Sequence, residues 1–177
     1  MKYIRRGIWF LAGRLLLICL LLSIAVTVFY YAMNLSNLQV ILKDGMASRA
    51  KVIMGIETDA TVLRRYFQDA YLATDQDLQT VGSAGAPYAD YNVRGIDHRL
   101  EMGFVWTWPW DTNIRLTITE SIPRIDGRVK GTRAEEVIAQ RGAKAVYPPA
   151  WPTAQYRVGV VKENGQWKIR TLTRIGE

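Results

Sequence analysis

The longest apolar stretch of the chain runs from Leu15 to Met33, LLLICLLLSIAVTVFYYAM, 19 residues in which Ser23 and Thr27 are the only small polar side chains. As a helix it would be about 28 Å long at 1.5 Å per residue, close to the roughly 30 Å hydrocarbon core of a bilayer. All of its sides are apolar, whereas a surface helix of a soluble protein carries one apolar stripe. The pattern predicts a transmembrane helix at 15–33. A cleaved signal peptide is the alternative; the run exceeds the usual h-region of about 7–15 residues, and no small-x-small site follows it. Cys19 lies inside the span as a small apolar residue, where a reactive thiolate would be desolvated.

Residues 34–57 read as a juxtamembrane connector. Leu35, Leu38 and Leu42 share one helix face, but the seam is too short for a coiled coil, Arg49 breaks it and Asp44-Gly45 is a candidate interruption. A solvated stalk is the expectation. The next segment, TDATVLRRYFQDAYLATD, has Thr58 or Asp59 as N-cap and Leu63, Tyr66, Phe67, Ala70 and Tyr71 on one face, which predicts an amphipathic helix. A loop through Gly82, Gly85 and Pro87 leads to a β-rich half. There Phe104, Trp106 and Trp108 alternate up to Pro109, and Ile114, Leu116, Ile118 and Ile122 alternate up to Pro123 and an Asp126-Gly127 turn. GTRAEEVIAQRGAK reads as an inserted helix, with Thr132 and Glu135 in capping-box spacing and Gly142 at its end. YPPAWP is an extended loop. The last segment is a hairpin around Asn164-Gly165, with Tyr156, Val158 and Val160 going in and Trp167, Ile169 and Thr171 coming back. The expected class is α+β: an N-terminal transmembrane helix, then a domain over 58–177 with a helix packed on a curved antiparallel sheet.

Charge sharpens the topology. The 177 residues carry a net charge of +7, yet Lys2, Arg5, Arg6 and Arg14 precede the span with no acid among them, and no charge recurs until Lys43. The positive-inside rule makes 1–14 a cytoplasmic tail and places the following domain outside the cytoplasm. Trp9, with Phe10, suits the inner interfacial belt, Tyr30 and Tyr31 the outer one, and Arg14 can snorkel to the headgroups. Residues 34–177 hold 19 basic and 16 acidic side chains, no phosphate-tracking surface, so nucleic acid is not expected as a partner. One Cys and one His exclude an internal disulfide and a Cys/His zinc site. No nucleophile elbow, P-loop or dinucleotide fingerprint occurs, and neither a metal nor a cofactor is expected.

Few residues could carry chemistry. Asp97 with His98, and Glu120 on the face of Ile114, Leu116 and Ile118, are the weak catalytic candidates. Neighbours on a strand point to opposite faces, so Asp97 and His98 would not act together, and Glu120 is more simply a strand-end or bulge residue. Trp106 and Trp108 are expected to fill the core. Trp108, Trp110 and Trp151 are the candidates for docking a partner if they are exposed, since Trp is enriched at binding hot spots.

The order of helix, loop, paired strands and a final hairpin RVGVVKENGQWKIRTL resembles the nuclear transport factor 2-like roll shared with ketosteroid isomerases, over about 58–175, with the inserted helix as a departure. Placed behind a single N-in span, the architecture is similar to bitopic assembly proteins of type IV secretion and conjugation machines and of endospore transenvelope complexes. The resemblance implies a non-catalytic scaffold that meets the lipid bilayer, other envelope proteins and a second copy of itself. An isomerase-like or ligand-binding use of the cone is the alternative, because a fold does not fix a function.

Overall fold

The computed structural model describes residues 2–83 and 85–176, with side chains from Trp9 onward; the side chains of Lys2, Arg5 and Arg6 lie outside the described residues. One helix, α1 (Lys2–Ile53), runs unbroken for 52 residues, about 78 Å. It is apolar and long enough to cross a membrane. Its two halves face different surroundings. Residues 9–30 are exposed all round, whereas from Asn34 burial recurs at helical spacing through Leu38, Leu42, Met46, Arg49 and Ala50.

The solvated stalk expected over 34–57 is therefore corrected. This stretch is the principal helix of the folded domain, buried against the sheet because its Leu38-Leu42-Met46 stripe supplies the apolar face the strands need. Nor does Gly45 interrupt the helix. A Cβ at Gly45 would lie 2.9 Å from the Tyr66 Cβ and 3.2 Å from the Ile169 Cδ1, so the missing side chain lets the chain at Tyr66 close onto α1. Gly45→Val is expected to cost about 1–3 kcal/mol through overpacking despite the better helix propensity of valine. Urea unfolding followed by circular dichroism would measure it, and an unchanged midpoint would remove this role from Gly45.

The amphipathic helix expected at 58–75 is replaced by a 3-10 turn (Ala60–Arg65) and two short helices, α2 (Asp69–Leu72) and α3 (Gln76–Gln79). Asp59 does cap the first turn, accepting from the Thr61 N–H at 2.9 Å. The helix stops because the backbone at 66–68 pairs instead with the sheet: the Ile169 N–H donates to the Tyr66 carbonyl and the Gln68 N–H to the Ile169 carbonyl. Phe67 is thereby drawn fully into the core.

The sheet is a four-stranded antiparallel meander of β1 (Tyr91–Met102), β2 (Asn113–Val129), β3 (Ala154–Glu163) and β4 (Gln166–Ile175), in the order β1-β2-β3-β4. The α+β class is as the sequence predicts. Pro123 does not end β2. It falls in the irregularity between the Asp97–Arg124 and Arg99–Ser121 pairs, and beyond Glu120 β2 has no β3 neighbour, so the missing N–H is tolerated. Asp126-Gly127 likewise continues the strand, with Gly127 opposite Val93. The hairpin is as read: Asn164 and Gly165 both have positive φ, 49° and 81°, the geometry of a two-residue turn. The inserted helix is α4 (Ala134–Arg141), ending at Gly142, but its N-cap is Arg133 without a side-chain bond and no capping box forms.

The strand expected at 104–108 is absent. Residues 103–112 form the loop between β1 and β2, and period two survives with its faces reversed: Val105 and Thr107 are buried, while Trp106 and Trp108 point outward. Two side chains of α1 hold the loop's carbonyls, Tyr31 that of Val105 and Asn34 that of Trp108.

Candidate functional site

Three groupings bring unusual side chains together. The first surrounds Glu120, which lies within β2 rather than at a strand end and is fully buried. Its Oε1 is 3.0 Å from the His98 Nε2, and its Oε2 accepts from the Trp151 indole N–H at 3.3 Å. His98 reaches it because the ladder irregularity brings the two residues diagonally together across β1 and β2. Asp97 points the other way and pairs with Arg99 at 2.8 Å on the surface, as the strand alternation predicts. The His98 Nδ1 is buried without a partner among the described residues.

Trp151 arrives from the Pro-rich loop and lies over Tyr88, with ring centroids 6.3 Å apart. Burial pushes the Tyr88 hydroxyl up to about 12. The Tyr156 hydroxyl is raised as well, first by burial and then by the Glu120 charge. A cleft of about 260 Å³ beside this grouping is lined by Ile53, Tyr88, Pro149, Trp151, Pro152 and Tyr156, and neither Glu120 nor His98 lines it. A general base needs a lone pair aimed at its substrate. Glu120 is fully buried and outside the cleft's lining, and each of its oxygens has a protein partner, the Trp151 bond fastening the Pro-rich loop to the sheet. Trp151→Phe keeps an aromatic side chain but removes the indole donor and leaves a buried carboxylate oxygen unpaired, and is expected to cost about 1–3 kcal/mol in urea unfolding. A cost indistinguishable from zero would mean the indole bond fastens nothing.

The second grouping was not singled out in the sequence. Arg49 sits on the buried face of α1, one turn beyond Met46. Its Nε donates to the Asp75 Oδ2 at 2.7 Å and its Nη2 to the Asp75 Oδ1 at 3.0 Å, a bidentate pair, and Nη2 also meets Asp77 at 2.6 Å. Asp75 is placed by its second task as N-cap of α3, accepting from the Asp77 N–H. The Tyr71 hydroxyl donates to Asp75 at 3.0 Å. Burial works against a charged Asp75, but the bonds and charge of Arg49, with the Tyr71 hydroxyl, outweigh it and hold the carboxyl below the ordinary carboxylate range. Tyr71 is raised by burial, against the pull of Arg49. The only signal available in the sequence was a lone cation in an apolar helix stripe. An open cleft of about 580 Å³ adjoins the pair, lined in part by Tyr156, Arg170 and Arg174.

The third grouping is the loop 103–112. Trp110 and Phe104 are among the most exposed aromatic residues, at 70% and 88%, and Trp106 stacks on Tyr31 with centroids 5.0 Å apart. Of the three docking candidates, Trp108 and Trp110 fall here together, stacked 5.1 Å apart, while Trp151 belongs to the Glu120 grouping. Trp106 and Trp108 are corrected from core residues to surface ones. Of the membrane-belt candidates, Trp9 and Tyr30 are exposed, Arg14 lies 4.4 Å over the Phe10 ring, and Tyr31 is taken up by the loop.

Among the described residues no three His, Cys, Asp or Glu side chains cluster as a metal site would require. No protein-family model matches the chain, and no curated protein matches it in sequence.

Proposed function

We propose that the protein is a single-pass membrane protein with its N-terminus in the cytoplasm and its α+β domain outside, serving as a non-catalytic scaffold or assembly subunit of a cell-envelope complex. The observation that carries the reading is the continuity of α1: the apolar half that suits a bilayer and the half that forms the domain core are one helix. Such a joint fixes the domain's height and orientation above the membrane. That suits a docking platform. The complete burial of Glu120, outside the lining of the neighbouring cleft, supports the same reading. The roll resembling nuclear transport factor 2 is part of the proposal, with the second half of α1 taking the place of its long helix. A conjugation or type IV secretion machine is named on that resemblance.

Photocrosslinking in cells from exposed positions of the sheet tests it. Discrete adducts with other envelope proteins are expected, and a chain that forms none under conditions where the machine assembles would refute the scaffold. A reporter active only outside the cytoplasm, fused after Glu177, tests the topology; its silence would refute export.

A second reading, binding of a small anionic ligand, is favoured by one observation. The cleft beside Arg49 carries Arg170 and Arg174 as well as Asp75 and Asp77, and the Arg49 Nη1 is buried without a partner among the described residues. Thermal stabilisation by small carboxylates or phosphates, lost in Arg174→Ala, would support it.

A further inference from the structure

We propose that the loop 103–112 is a membrane-interface anchor, whose Phe104, Trp106, Trp108 and Trp110 seat in the headgroup layer of the bilayer that α1 crosses. The inference rests on the reading of α1 as a membrane span and adds a second point of attachment to it. Four large aromatic rings within seven residues are exposed, an arrangement that is costly in water. Their height is set by α1. The Tyr31 hydroxyl donates to the Val105 carbonyl at 3.3 Å, the Tyr31 ring stacks on Trp106, and the Asn34 side-chain amide donates to the Trp108 carbonyl at 3.4 Å. Tyr31 and Asn34 bracket the end of the apolar run at Met33, so the loop lies where the helix leaves the hydrocarbon.

The chemistry of the loop suits that layer. Trp has an apolar body and one N–H donor, and it concentrates at membrane–water interfaces for that reason. None of the indole N–H groups of Trp106, Trp108 and Trp110 donates to another described residue, which leaves them for lipid carbonyls and phosphates. Trp106 meets Trp108 edge to face at 5.4 Å and Trp108 stacks on Trp110, so the rings form one rigid ladder. Irregular backbone is excluded from the hydrocarbon core but tolerated at the interface. Cations lie at the same end: Arg65 and Lys162 line a cleft with Asn34, and the backbone N–H of Lys162 donates to the Thr112 carbonyl at the end of the loop. They would meet anionic headgroups.

The test uses the full chain reconstituted in vesicles of phosphatidylcholine and phosphatidylglycerol, with lipids brominated either near the carbonyl end or near the middle of the acyl chains. Subtracting the emission of the Trp106→Phe, Trp108→Phe, Trp110→Phe triple variant isolates the loop from the other tryptophans. Trp110→Phe alone serves as a second variant should the triple one fold poorly. The loop emission is expected to be blue-shifted, quenched more by shallow than by deep bromines, and shielded from aqueous iodide. Emission quenched by iodide and indifferent to bromine would overturn the anchor, leaving the loop free for a protein partner. Emission indifferent to both quenchers would overturn it too, with protein covering the rings. Alkaline carbonate extraction separates the two readings. A chain washed off the vesicles refutes the span itself, whereas a chain that stays while its loop remains in water refutes the anchor alone.

Discussion

Arg49→Ala is expected to destabilise the domain by about 3–5 kcal/mol, because it leaves Asp75 charged, buried and without its counter-ion. The pair is bidentate, both side chains are almost completely buried, and Tyr71 and the α3 N-terminus are arranged around the same carboxylate. The pH dependence gives the effect a signature. In the native protein the Asp75 pKa is depressed, so its contribution is complete above the unfolded value of about 4 and is lost as pH falls through the folded value. In Arg49→Ala burial acts on Asp75 with only the Tyr71 hydroxyl and backbone bonds against it, so its pKa should rise and acidification relieves the variant while it weakens the native protein. The stability gap should narrow as pH falls from neutral through the acid range. Urea unfolding in detergent micelles at several pH values measures this. A gap independent of pH would mean that Asp75 is not the group left uncompensated. Combining Arg49→Ala with Asp75→Ala should cost less than the sum of the two, since each single variant strands the other partner.

Leu42→Ala should cost about 2–5 kcal/mol, the range for emptying a fully buried leucine position. Leu42 is wholly enclosed in the core formed with Leu38, Met46, Phe67, Ile118, Val158 and Ile169. Leu21→Ala, six turns earlier on the same helix, should change domain stability by no more than about 0.5 kcal/mol, because Leu21 touches nothing in the domain. The contrast locates the point at which α1 exchanges one surrounding for another. Equal small effects at both positions would mean that the second half of α1 is dispensable, and the helix would be a stalk after all. Unfolding of the full chain in micelles, read by near-ultraviolet circular dichroism, separates the outcomes.

Local patterning made some elements legible and left others hidden. The helix at the apolar run 15–33, the Asn164-Gly165 hairpin and the helix ending at Gly142 are written in contiguous residues, and each element is present, the first as part of the longer α1. The segment at 58–75 has a convincing helical stripe, yet two backbone bonds to Ile169 redirect it; a tertiary pairing defeats a propensity of a few tenths of a kcal/mol per residue. The Trp106-Trp108 alternation gives the right period but not which face is inside, since period two is symmetric between faces. In the candidate groupings, Glu120 was visible as a carboxylate on an apolar strand face, but its partners His98 and Trp151 come from other elements. Arg49 was read only as a break in a leucine seam. Its partners Asp75 and Asp77 stand 26 and 28 residues away, and nothing in the intervening sequence announces them.

The unbroken course of α1 also has a mechanical meaning. With no glycine hinge or proline between Met33 and Leu38, rotation of the apolar half of α1 reaches the domain without a swivel, and the azimuth of the sheet is geared to that of the apolar half. Each residue inserted at that junction would turn the domain by about 100° about the helix axis and lift it by about 1.5 Å. Seven insertions, about 700°, bring the sheet to within about 20° of its starting azimuth and about 10.5 Å higher.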